Sequence, residues 1–279
     1  MEILKDTRAI SPQALKHRPH SRRMELEECL PLLASPDTGA SLRVDNDQGI
    51  LTDDKNTYPL RGTLPLLIPA RLQPYFADRL AVPFEHYQDS LMQYFLLATI
   101  KQAGEINAAP SEEPAHRHFF RAADFFSDCK GITLDVGCDN PELGASLFSP
   151  SVSYIGLDPF CVRAEPFRII GVGEYLPFQD ESVDNVVFNT SLDHILDWRR
   201  GINEAKRVLK KGGSLYICTF VWTAKADLIS DSVHFHHFRD YEIFGALDEF
   251  EIKKDGERRY ESPKGDVHRH GLYLRAIKK

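Results

Sequence analysis

The chain has 279 residues, 42% hydrophobic and 27% charged, enough to bury a sizeable core. It has no run of about 18 apolar residues, and its N-terminus lacks the apolar centre of a secretory signal, so neither a membrane partner nor export is expected and the cytoplasm is the compartment read from the sequence. A formal net charge of −7 and a pI near 5.9 give no general field for nucleic acid, although a local basic patch stays open. Cys29, Cys129, Cys138, Cys161 and Cys218 form no CxxC pair, which argues against a zinc knuckle or a disulfide framework.

In residues 1–24, Lys5, Arg8, Lys16, Arg18, Arg22 and Arg23 outnumber Glu2 and Asp6, with little apolar periodicity. A solvated or loosely docked basic tail is expected, with a polyanion-binding arm as the alternative. Residues 25–70 read as a small β module of short strands, with turns at 37–39, 46–49 and 53–56. Its layout, SPDTG (35–39), then YPLRGTLPLL (58–67), resembles the small zinc-ribbon-derived domain called Trm112-like, whose usual form carries CPxCG, a second cysteine pair, YPI and GIPxL. Here Ser35 and Thr38 stand at the first cysteine pair, and no Cys or His lies between Leu30 and Glu85. A tetrahedral zinc site is therefore excluded, and packing of Leu33, Leu42, Val44, Leu51, Tyr58, Leu60, Leu64 and Leu66 must hold the module. The resemblance implies a docking or positioning element, open to a protein partner or a second copy of the chain.

Residues 71–130 turn helical, with Leu91, Tyr94, Phe95 and Ala98 at helical spacing, a polar proline-bearing stretch at 108–118, and a short amphipathic helix in FFRAADFFSD (119–128). Part of this connection is expected to cover the cleft. From residue 131 to 279, strand and helix patterns alternate, which implies α/β structure with a mainly parallel sheet. Strands are expected at ITLDV, SYIGLD, NVVFNT, SLYICTF, FEIKKD and GLYLRAIKK. A helix with Ile202, Ala205, Val208 and Leu209 on one face should end at Gly212 and Gly213, and another should be capped by Asp240.

The segment LDVGC (134–138) is followed by YIGLDPF (154–160), whose Asp158 stands about 20 residues on, where a carboxylate can accept both ribose hydroxyls of a nucleotide. GEYLPFQDESVDNVVFNTSLDHILD (173–197) and EAKRVLKKGGSLYI (204–217) come next. This succession resembles the class I S-adenosylmethionine-dependent methyltransferases over residues 131–279. The resemblance implies a Rossmann-like sheet of seven strands with the last antiparallel, and S-adenosylmethionine as cofactor. It puts Asp135, Gly137 and Cys138 under the methionine part, with Asp135 orienting its ammonium, and Asp158 on the ribose. The turn around Gly173, Glu174, Tyr175 and Leu176 would border the adenine, and Asn189, Thr190, Ser191 and His194 would floor the site.

Two departures stand out. The family's glycine loop continues here as Asp139, Asn140 and Pro141, and Val172 occupies the place of an acidic adenine contact. Asn and Asp tolerate left-handed backbone, and Pro141 suits a first helical turn, so an altered loop can survive. His194 is the first candidate base, with a loop-steadying role as its alternative. His234 and His236, in VHFHHF, are candidates for a substrate-facing or catalytic role against a structural one, and no metal is expected. The leading expectation is methyl transfer to oxygen or nitrogen of a small metabolite. The alternatives are an RNA methyltransferase, which needs a basic surface joining tail to cleft, and a cofactor-free scaffold.

Overall fold

The computed structural model describes residues 3–5, 12–73, 117–159, 167–223, 235–261 and 268–279. In chain order its named elements are α1 (Pro12–Lys16), β1 (Arg22–Arg23), α2 (Leu26–Cys29), β2 (Arg43–Asp45), β3 (Ile50–Thr52), β4 (Thr57–Arg61), β5 (Leu64–Pro65) and α3 (Arg117–Phe125). Then come β6 (Gly131–Val136), α4 (Pro141–Ser146), β7 (Val152–Asp158), β8 (Ile169–Ile170), β9 (Val183–Asn189), α5 (Trp198–Val208), β10 (Leu209–Trp222), α6 (Asp240–Gly245), β11 (Phe250–Glu261) and β12 (Arg269–Lys278). The helical pattern at 91–98, the proline-bearing stretch at 108–116 and His234 lie outside the described residues.

The main sheet runs β1-β7-β6-β9-β10-β12-β11, with β8 also paired to β7. β7, β6, β9 and β10 are mutually parallel, and β12 lies antiparallel to both β10 and β11. Residues Leu134, Val136, Ile155, Leu157, Val186 and Phe188 are buried on one side of these strands, and Tyr154, Val187 and Tyr216 on the other. Burial on both faces is what a parallel sheet between two layers demands, and it accounts for the nearly continuous apolar runs of these strands.

The sheet contains the six expected strands and the short β8, with β12 antiparallel as expected, and the eighth strand comes from the supposed tail. Arg22 and Arg23 pair with Ser153 and Tyr154, beside the two-residue β8, which pairs with Leu157 and Asp158. Leu15 is fully buried, Ser21 Oγ donates to Ala145 O at 2.8 Å, and Met24 N donates to Tyr154 O at 2.9 Å. The segment is therefore built into the sheet edge rather than solvated. Composition hid this because apolar anchors as sparse as Leu15 and Met24 make no periodicity.

The β module forms a second, antiparallel sheet, β2-β3-β4-β5. Its Leu33, Leu51, Tyr58, Leu64 and Leu66 belong to the same core as Leu157, Ile169, Ile170 and Phe178, so the boundary expected at residue 70 does not separate two cores. Backbone bonds stitch the two parts: Leu67 N to Ile170 O at 2.8 Å, Ala34 N to Pro177 O at 3.0 Å, and Gln179 N to Leu32 O at 2.8 Å. In place of a metal, Ser35 Oγ and Tyr58 OH lie 2.7 Å apart, Tyr58 OH donates to Asp37 Oδ2 at 2.7 Å, and Thr38 Oγ1 donates to Asp53. Polar bonds thus supplement the packing. Burial raises the Asp53 pKa, but hydrogen bonds from Ser35, Thr38 and Asn56 outweigh it and hold the carboxyl below its ordinary range.

Two helix ends differ from expectation. α5 stops at Val208 because Leu209 already pairs with Val183 in β10, and the Gly212–Gly213 pair occupies the bulge before Ser214, with Gly212 at φ +74°. At α6 the residue before the helix is Arg239, whose N–H donates to Glu242 Oε2 at 2.8 Å. Asp240 is the first helical residue, and its carboxylate pairs with Arg259 at 3.0 Å.

Candidate active site

The site forms where parallel strands β6, β7 and β9 end, because every loop leaving a parallel strand emerges on that side. The first loop turns sharply at Gly137, whose φ is +79°. A Cβ there would overlap Ser191 Cβ and lie 3.1 Å from its Oγ, so the close approach of the loop after β9 requires glycine. Asp139, standing where a glycine would be expected, is left-handed at φ 46°. It is pinned from both sides: its N–H donates to Asp158 Oδ2 at 2.9 Å, and Arg168 Nη1 donates to its carbonyl. Asn140 caps α4, accepting from Glu142 N at 3.1 Å and Leu143 N at 3.2 Å, and Pro141 takes the first helical position. The altered loop is thus a formed turn.

Asp135 and Asp158 are both buried at the strand ends. Asp135 Oδ2 accepts from Tyr154 OH at 2.7 Å, while Oδ1 has no partner. Burial drives the Asp135 pKa up to about 7, Tyr154 opposes this, and Asp158 adds to it. Asp135 and Val187 are paired in register, so strand alternation puts Asn189 on the Asp135 face. Asn189 Oδ1 is likewise buried and without a partner. Each orphaned acceptor costs about 1–3 kcal/mol, which a donor from a ligand would recover.

Other expected site residues serve the frame. Cys138 turns its Sγ toward Gly156, its N–H donates to Leu157 O at 3.2 Å, and burial raises its thiol pKa well above the ordinary value. Thr190 is left-handed at φ 58°, with its N–H on Cys218 O at 2.7 Å, and Ser191 Oγ donates to Val136 O. Gly173 admits Ile195 Cδ1 at 2.6 Å from where its Cβ would be. Glu174 Oε1 accepts from Leu196 N at 3.1 Å and Asp197 N at 3.3 Å, so its carboxyl, whose pKa burial shifts up, braces the loop after β9. Leu176 is core, and Tyr175 lies under the Arg200 guanidinium, 3.9 Å from the ring centroid.

Of the histidines, His194 ends a short 3-10 turn after β9, partly exposed, with Nε2 3.9 Å from Asp193 Oδ1. His236 is committed elsewhere: its Nε2 lies 3.0 Å from both Ile195 O and Leu196 O, and its ring stacks on Phe238 at 5.6 Å. That nitrogen steadies the site loop, which is the structural role expected as its alternative. Sequence reading passed over Tyr154 and Arg168. Alternation along SYIGLD puts Tyr154 on the Asp158 face, a signal that was present, whereas Arg168 acts through a contact that only the fold creates.

The strand order β1-β7-β6-β9-β10-β12-β11, with β8 also on β7, β12 antiparallel and a glycine turn after β6, defines a Rossmann-like domain of the class I methyltransferase fold. Residues 134–217 match the family described as Methyltransferase domain. A solved structure of 1,6-didemethyltoxoflavin-N1-methyltransferase from Burkholderia thailandensis, with bound 1,6-didemethyltoxoflavin and S-adenosylhomocysteine, superimposes over 72% of this chain and 92% of that one, with TM-score 0.51 and 14% identity. The demethylmenaquinone methyltransferase of Corynebacterium glutamicum strain R is 42% identical over 53 residues, 19% of this chain and 23% of that protein. The ubiquinone/menaquinone biosynthesis C-methyltransferase of Geobacter sulfurreducens is 26% identical over 133 residues, 46% of this chain and 52% of that protein. The chain thus spans about a quarter to a half of the length of these curated relatives.

Proposed function

We propose that the chain is an S-adenosylmethionine-dependent methyltransferase acting on an oxygen or nitrogen of a small metabolite. The observation that carries this reading is the pair of buried, unpartnered acceptors, Asp135 Oδ1 and Asn189 Oδ1, on neighbouring strand ends. Their chemistry suits the ammonium of an amino-acid moiety, and Asp158 suits ribose hydroxyls, so the residues present fit the cofactor. When bound, that group supplies a sulfonium that is already an activated methyl donor. The chain's own task is then to hold the acceptor atom in line and exclude water. His194 is the group proposed to take the proton from a hydroxyl acceptor.

A small substrate is favoured over RNA by the state of the basic tail. Lys5 pairs with Glu261, Lys16 with Glu142 and Arg22 with Glu28, so these cations meet carboxylates of the same chain rather than form a free polyanion arm. The β module, packed on the 170–179 segment, is proposed to support the adenine edge, which is a positioning role in keeping with the Trm112-like resemblance. The test is transfer of label from methyl-labelled S-adenosylmethionine into a metabolite extract and, separately, into total RNA. Label in the small-molecule fraction, lost with Asp158→Ala, is the expected result; label confined to RNA would overturn the substrate assignment.

A further inference from the structure

Tyr154 has no role in the reading above, yet it is built into the centre of the site. It is buried in β7, and its hydroxyl donates to Asp135 Oδ2 at 2.7 Å. α4 makes room for this contact: a Cβ on Gly144 would collide with Tyr154 OH and lie 2.9 Å from Asp135 Oδ2. The ring is held by Phe148, 5.8 Å away between centroids, and its backbone carbonyl by Met24 N of the N-terminal segment. One carboxylate oxygen is thus occupied by a fixed donor, while Oδ1 is buried and without a partner.

We propose that Tyr154 is a positioning residue for cofactor binding: by donating to Oδ2 it turns Oδ1 of Asp135 toward the ligand and favours the carboxylate over the acid. This rests on the proposed function, since the ligand group received by Oδ1 is the cofactor's ammonium. The ionisable groups facing Asp135 are Tyr154 and Asp158 from β7, Cys138 from the glycine loop and Cys218 from β10. α4 presents Gly144 there, which carries no charge. Burial, with the Asp158 charge beside it, favours the neutral acid, and the phenol hydrogen bond favours the anion. Removing the phenol OH therefore protonates Asp135 at a pH where the wild type is ionised. A protonated carboxyl no longer attracts an ammonium.

The test uses Tyr154→Phe in the full chain, which keeps the ring. Carbon-13 NMR follows the Asp135 carboxyl, assigned with Asp135→Asn, and calorimetry follows S-adenosylhomocysteine binding from pH 6 to 9. The variant is expected to raise the Asp135 titration by about one to two units. Its affinity should fall about tenfold at pH 7 and return toward wild type by pH 9. An unmoved titration, or a loss of affinity equal at every pH, would overturn the proposal and leave Tyr154 as packing. Should Tyr154→Phe not fold, a fluorotyrosine-labelled chain, whose phenols are stronger donors of nearly the same shape, must move the titration downward; no movement refutes the claim. If the wild type binds no S-adenosylhomocysteine, the proposed function fails, and the carboxyl titration still decides the role of Tyr154.

Discussion

Replacing Gly137 by alanine probes the narrowest point of the site. The residue sits at φ +79°, a conformation that costs an L-residue about 1–2 kcal/mol. The new methyl group would overlap Ser191 Cβ, where carbon contacts normally settle at about 3.5–4.0 Å. Ser191 must then retreat by about 1 Å, which breaks its hydrogen bond to Val136 O and costs roughly another 1 kcal/mol. With residual strain the total is about 3–4 kcal/mol, a large share of a typical stability of about 5–15 kcal/mol. At about 2–4 °C per kcal/mol, Tm should fall by about 6–16 °C in thermal unfolding followed by circular dichroism. Adding Ser191→Gly removes the overlap and should restore about half of that loss, leaving the backbone part. A Gly137→Ala protein melting within about 1 °C of wild type, or a double variant no better than the single one, would refute the reasoning.

Two further outcomes follow from the same geometry. Asp135 has a folded pKa raised to about 7 against an ordinary 3.8, so its contribution to stability is fully present below the unfolded value and is lost as pH rises from about 4 to 7. At roughly 1.4 kcal/mol per unit, the loss is at most about 4 kcal/mol. Asp135→Asn should therefore gain stability relative to wild type as pH is raised from 4 to 8 without ligand; an unchanged difference in Tm would count against a buried, ionisable Asp135. In the β module, Tyr58→Phe removes the hydroxyl shared by Ser35 and Asp37 and should cost about 1–3 kcal/mol in urea unfolding, whereas a cost within about 0.5 kcal/mol would mean that packing alone holds the metal-free sheet.

The central strands were legible in the sequence because parallel strands carry continuous apolar runs, and the helix at Trp198 was legible because Ile202, Ala205 and Val208 recur on one face. Asp158 could be read from its spacing after the glycine turn, whereas Asp135 and Gly137 were placed by the resemblance to the family. The bracing contacts of Glu174 and His236 were not legible, because they are long-range bonds to backbone, with Leu196 and Asp197 for one and Ile195 and Leu196 for the other. Arg22 and Arg23 read as tail because a two-residue edge strand leaves no alternation to detect. The loop at Asp139 was the instructive case. Its conformation depends on Asp158 and Arg168, neither of which is adjacent in sequence.

The ends of β6, β7 and β9 are proposed to hold S-adenosylmethionine despite the altered glycine loop. The most direct measurement is a calorimetric titration of S-adenosylmethionine and S-adenosylhomocysteine into the purified chain and its Asp158→Ala variant. Binding in the micromolar range by the wild type is expected, with a loss of at least about tenfold in the variant, about 1.4 kcal/mol. No heat at millimolar ligand, or equal binding by both proteins, would contradict it.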